Sequence, residues 1–153
     1  MTTRKPAKKT ASAKPPIHTK RPAKDVKLDT VFDELQQLLS ALVPPFTATG
    51  GGVRDKRDYH LRVPAPVVIP GAYGGKPTSI AVASLILQKG YVGFYYMPVY
   101  METGLKQKLS PALMQLLKGK SCFYVKTLTP ELRAGIQSAL ILGTKCFRER
   151  GWL

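Results

Sequence analysis

The spacing of apolar residues along the chain sets out its elements. Val31, Leu35, Leu38, Leu39 and Leu42 recur three and four positions apart and form one stripe, which predicts a helix from Asp29 to Val43. Asp29 or Thr30 can cap it, Asp33 and Glu34 sit near the positive end of its dipole, and Pro44 and Pro45 stop it. Thr49-Gly50-Gly51-Gly52 reads as a flexible connector, and the charged run Arg54 to Asp58 as a solvated loop. From Tyr59 to Val63 the pattern alternates, Tyr59, Leu61 and Val63 against His60 and Arg62, which predicts a half-buried strand. Pro64 and Pro66 break it; Val67 to Ile69 is a short continuation and Gly71 to Lys76 a turn.

Two stronger strands follow, Ser79 to Gln88 and Tyr91 to Met97. Lys89-Gly90 between them predicts an antiparallel hairpin, with Gly90 supplying a positive φ. Glu102 to Leu109 and Pro111 to Leu117 read as short helices, the second opened by Ser110-Pro111 and closed at Gly119. Ser121 to Lys126 is a further strand. Thr129-Pro130 launches a last helix to about Arg150, whose stripe is Leu132, Ile136, Leu140, Gly143 and Phe147. Gly135 and Gly143 weaken that helix but let it lie close to the sheet. The expected fold class is α+β, an antiparallel β-sheet with helices packed mainly on one face.

Composition adds a tail to this domain. Residues 1–24 use Lys, Pro, Ala, Thr and Ser almost throughout and carry eight basic residues and no acid, whereas residues 25–153 carry sixteen bases and nine acids. A segment so poor in apolar surface cannot offset its ordering entropy, so 1–24 is expected to be a disordered basic tail and 25–153 the folded domain. Lys5, Lys8, Lys9, Lys20 and Arg21 make the tail a candidate for salt-sensitive, non-specific attraction to nucleic acid. No run of eighteen apolar residues occurs, so no membrane partner is expected. Two cysteines without framework spacing, and a Lys-rich N-terminus lacking an apolar stretch after it, point to a reduced, cytoplasmic setting.

Catalytic chemistry finds little support. Lys118-Gly119-Lys120-Ser121 ends like a phosphate-binding loop, but the earlier glycine is Met114 and a strand follows the serine instead of a helix. Cys122, beside Lys120 and Tyr124, and Cys146, beside Phe147, read as packed thiols. His18 and His60 with two scattered cysteines do not make a zinc site, so neither metal nor cofactor is expected, and no carboxylate pair stands out.

The positive signal is aromatic. Along a strand alternate residues share a face, so Val92, Phe94 and Tyr96 lie on one side and Tyr91, Gly93 and Tyr95 on the other; Phe123 and Val125 likewise oppose Cys122, Tyr124 and Lys126. With helices over the phenylalanines, the second face presents Tyr91, Tyr95, Cys122, Tyr124 and Lys126, which Arg62 and His60 can join. A tyrosine-lined surface with a few cations suits an unknown small molecule or protein partner. The alternative is that the rings shield the sheet or form a homodimer contact.

Three stretches resemble the YdhG-like domain family, also called domain of unknown function 1801. They are Gln88-Lys89-Gly90-Tyr91-Val92-Gly93-Phe94-Tyr95-Tyr96-Met97-Pro98-Val99-Tyr100, Leu117-Lys118-Gly119-Lys120-Ser121-Cys122-Phe123, and the closing Arg148-Glu149-Arg150-Gly151-Trp152-Leu153. The resemblance spans Asp29 to Leu153 and implies a compact α+β domain with an antiparallel sheet flanked by helices. For some relatives it also implies frataxin-like iron delivery. That role uses exposed carboxylates, and this domain has an excess of bases and few acids on its first helix. The sequence therefore leads to a binding or accessory domain without an enzymatic centre.

Overall fold

In the computed structural model of the chain, the structure describes residues 23–50 and 57–153, with side chains from 27 onward. The candidate tail residues Lys5, Lys8, Lys9, Lys20 and Arg21 lie outside the described residues. So do Gly51-Gly52 and the run Arg54-Asp55-Lys56.

Helix α1 spans Ala23–Ser40, starting six residues before the expected Asp29, so the boundary at residue 24 falls within its first turn. No proline interrupts residues 23–40, and Leu28 and Phe32 extend the stripe, both buried with Val31, Leu35, Leu38 and Leu39. After Ser40 the bonds tighten to three-residue steps, Leu42 N–H to Leu39 O and Val43 N–H to Ser40 O, before the two prolines end the helix.

Among the described residues six strands form, β1 (Thr47–Gly50), β2 (Asp58–Arg62), β3 (Ala81–Gln88), β4 (Tyr91–Tyr96), β5 (Leu117–Lys118) and β6 (Cys122–Val125). They form one antiparallel sheet in the order β1-β2-β3-β4-β6-β5. The expected β3–β4 hairpin is present, turning at Lys89-Gly90 with Gly90 at φ 93°. Strand β1 corrects the reading of Thr49-Gly50 as a connector: Thr47 pairs with Arg62 and Gly50 with Tyr59. Gly50 has φ 137°, and a Cβ there would lie 2.5 Å from the Asp58 carbonyl oxygen. Its glycine serves a close strand approach. Strand β5 was hidden by its length. Val67 makes only an isolated bridge to Thr78.

Between the strands lie α2 (Met97–Met101), a 3₁₀ turn at Leu105–Lys108, and α3 (Pro111–Met114); the last helix, α4, runs Pro130–Glu149. Pro98 lies in the first turn of α2, where proline suits a position that needs no N–H. The segment expected as a helix at 102–109 is only the 3₁₀ turn. Both Ser/Thr-Pro caps form as expected: Ser110 Oγ accepts from Leu113 N–H at 3.3 Å and Thr129 Oγ1 from Leu132 N–H at 3.1 Å.

Helices α1 and α4 cover one face of the sheet. Val92, Phe94 and Tyr96 are fully buried there with Leu85, Phe123 and Val125, and Tyr96 Oη donates to the Ala139 carbonyl of α4. Gly143 meets Tyr96 and Pro98, whereas Gly135 packs against Ser110, which caps α3, and against Leu113, not against the sheet. Arg57, expected in a solvated loop, ties β2 to α1. Its guanidinium reaches Asp33 at 2.6 Å and Asp29 at 3.3 Å and lies 4.2 Å over the Phe32 ring. No described helix is long and apolar enough to cross a membrane.

Candidate functional site

The second face of the sheet follows from strand register. Directly paired residues of antiparallel strands share a face, and one row crosses all six strands: Thr49, His60, Ser84, Tyr95, Cys122 and Lys118. The neighbouring row is Asp58, Ile86, Gly93 and Tyr124. Tyr91 stands diagonally from Tyr124, and their rings stack with centroids 3.9 Å apart and planes 12° from parallel. The Tyr91 hydroxyl is pushed up to about 12, first by its hydrogen bond with Tyr124, then by burial and the neighbouring acids Tyr124, Tyr95 and Cys122.

Gly93 makes room for this array. A Cβ at Gly93 would lie 2.9 Å from Cε2 of Tyr95, so the Tyr95 ring lies across the glycine and covers its backbone. A lone glycine inside a strand pattern was the available signal, because it often marks close approach of another group. Burial raises the Tyr95 hydroxyl most, with Cys122 adding to the effect and a hydrogen bond to Gln88 opposing it.

His60 lies in a polar chain the sequence reading did not assemble. Its Nδ1 is 2.9 Å from Ser84 Oγ and its Nε2 is 3.3 Å from an Asp58 oxygen. Asp58 shares the face by the two-residue period, but Ser84 is found only once the β2–β3 register is known. The connectivity is Ser–His–Asp, with the ring nitrogens exchanged relative to the arrangement that activates serine nucleophiles. Ser84 also lies mid-strand between two paired neighbours, where the local amides are committed to sheet ladders and are not aimed as oxyanion donors. The chain orients His60 and offers hydrogen bonds.

Neither thiol has the environment of an activated nucleophile. Burial pushes Cys122 above its ordinary range, with a hydrogen bond to Tyr95 pulling back, and burial likewise raises Cys146. A reactive thiol needs the opposite shift. Among the described residues, no group of three His, Cys, Asp or Glu is placed to hold a metal ion. The Gly-Lys-Ser segment is the tight turn joining β5 and β6, with Gly119 at φ 76°.

The sequence-derived residues therefore divide. Tyr91, Tyr95, Cys122, Tyr124 and His60 occupy one contiguous surface. Arg62 sits at its β1 end, reaching Thr49 Oγ1 at 3.4 Å and the Ser79 carbonyl at 3.3 Å. Lys126 lies at the opposite end, just past β6, on a groove of about 530 Å³ that it shares with Lys118, Tyr124, Gln115 and Glu131. Lys118 was absent from the candidates because β5 was not foreseen. No family model, curated protein or solved structure matches the chain.

Proposed function

We propose that this is a non-enzymatic binding or accessory protein of the cytoplasm that engages a small ligand or a protein partner on its tyrosine-bearing sheet face. The observation that supports the reading most is the stacked Tyr91–Tyr124 pair beside Tyr95, on the face opposite α1 and α4. Aromatic rings provide large contact area at low side-chain entropy cost, and the His60–Ser84 and Tyr95–Cys122 pairs add polar groups that fix a ligand's orientation. Kinship with the YdhG-like domain family is part of the proposal and rests on the three sequence stretches alone. The iron role of some relatives finds little support: acids of the helical layer are engaged by bases, Asp29 and Asp33 by Arg57, Glu34 by Arg133 and Glu102 by Arg150.

The test is NMR titration of the full chain, labelled at tyrosine, with pools of small metabolites and short peptides. Shifts at Tyr91, Tyr95 and Tyr124 are expected. Shifts confined to the helical layer, with these three unmoved, would overturn the reading. The second proposal, non-specific nucleic-acid attraction through the basic residues of 1–24, draws on the tail's eight cations.

A further inference from the structure

We infer that the occupant of the tyrosine face is single-stranded nucleic acid, its bases continuing the Tyr91–Tyr124 stack and its phosphates meeting the cations at the two ends of the face. The inference rests on the reading of that face as a binding surface and names the class of its ligand.

Charge decides among occupants. Five acids of the helical layer, Asp29, Asp33, Glu34, Glu102 and Glu149, lie within ion-pair distance of Arg57, Arg133, Arg150 or Lys145. On the open face the cations Lys118 and Lys126 at one end and Arg62 at the other have no acidic partner among the described residues. The acids on or beside it, among the described residues, are Asp58, bonded to His60, and Glu131 on the wall of the groove that Lys118 and Lys126 share. A second copy docked on the same patch by a two-fold axis would set these cations among their own equivalents, an unfavourable contact. A polyanion instead meets these cations as counter-charges, and the eight basic residues of 1–24 add to its attraction.

The aromatic geometry selects the single-stranded form. Tyr91 and Tyr124 are already face to face at 3.9 Å, so an unpaired base can add to the outer side of the pair as a further stacked ring. Every base has such a face, so the platform tolerates sequence. A duplex keeps its bases stacked on one another and has none to offer. Lys118 and Lys126 share a groove with Tyr124, which sets a phosphate path beside the stacking site.

The experiment is fluorescence anisotropy of the full chain with a labelled twelve-nucleotide oligo-U, oligo-dT and a duplex of equal length, each at two salt concentrations. The single strands should bind more tightly than the duplex. Tyr124→Ala should weaken single-strand binding about ten-fold or more, since each base–aromatic stack is worth roughly 1–3 kcal/mol. Tyr124→Phe, which keeps the ring, should bind nearly as the parent does. The double variant Lys118→Glu, Lys126→Glu should bind more weakly, with a salt slope shallower by about 1.4 for two phosphates. If Tyr124→Ala fails to fold by circular dichroism, the Tyr124→Phe and lysine variants still decide. Equal affinity for duplex and single strand, or a folded Tyr124→Ala with unchanged binding, overturns the inference and assigns the affinity to residues 1–24. The NMR titration separates the two readings: tyrosine shifts with a metabolite but none with oligo-U retire nucleic acid and leave the face a site, whereas no shift with any probe retires both.

Discussion

Adding a single methyl group at Gly143 measures how closely α4 is pressed onto the sheet, and the structure supplies the terms. A Cβ built there lies 2.9 Å from Tyr96 Oη, 3.0 Å from Pro98 Cγ and 3.1 Å from Tyr96 Cε2. Relief of the glycine's backbone entropy in a helix interior favours alanine by about 0.8–1.0 kcal/mol. Against that stands overpacking, about 1–3 kcal/mol where neighbours cannot give. Tyr96 cannot retreat easily, because its side chain is fully buried and its hydroxyl is bonded to the Ala139 carbonyl one turn away. Gly143→Ala should therefore be neutral to destabilising, a net loss of about 0–2 kcal/mol. Tyr96→Phe alone should cost about 1 kcal/mol for the lost hydrogen bond.

The double variant carries the sharper expectation. Removing Tyr96 Oη deletes the nearest of the three clashes, so the alanine should be better tolerated in the phenylalanine background, with a coupling of about 0.5 kcal/mol or more. Urea unfolding of the four proteins at neutral pH reads each term from the midpoint and slope. If Gly143→Ala stabilises by the full helix-propensity gain, the close approach is wrong. Additive single variants would mean that the methyl and the hydroxyl do not share space.

Two further outcomes follow from the titrating groups. Burial holds the Tyr96 hydroxyl well above its ordinary 10.0, so an unfolded chain releases that proton first. Stability should be unaffected by this group below pH 10 and fall as pH rises past it, by up to about 1.4 kcal/mol per pH unit. Urea midpoints between pH 8 and 11 should accordingly fall more steeply in the parent than in Tyr96→Phe, and equal slopes would refute the assignment. At Cys122, burial places the thiol above 9.0, so its alkylation rate in a Cys146→Ala background should rise with a midpoint above that value; a midpoint below 8 would restore the nucleophile that the geometry argues against.

What the sequence made legible was periodicity, and what it hid was register. The two-residue alternation of Tyr91 to Tyr96 and of Cys122 to Val125 separates buried from open face without any knowledge of partners, and the stripe of α4 is buried throughout as its spacing required. Residues that matter through a neighbour far along the chain were invisible. Ser84 becomes a partner of His60 only because β2 and β3 pair with that offset, and Lys118 reaches the face only because a two-residue strand pairs with β6. Gly50 misled because it was read by its most frequent local meaning, flexibility, where the structure uses it for close strand approach.

Charge shows the same division between local and spatial information. A chain with +15 formal charge suggests phosphate binding, and more than half of the excess, +8, lies in residues 1–24. The domain's remaining sixteen bases and nine acids look nearly mixed along the sequence. Folding sorts them. Acids scattered at 29, 33, 34, 102 and 149 come to lie in the helical layer against arginines and a lysine, while Lys118, Lys126 and Arg62 are left at the ends of a face whose acids, among the described residues, are the histidine-bonded Asp58 and Glu131 at its edge. A modest net charge thereby becomes a face with a sign, and the aromatic stack lies between its cationic ends. On the proposed reading the basic residues of 1–24 would raise the local concentration of a polyanion and the stack would distinguish its single-stranded form. Neutralising the tail and removing the Tyr124 ring should for that reason fail differently, the first lowering affinity for every nucleic acid and the second abolishing the preference among them.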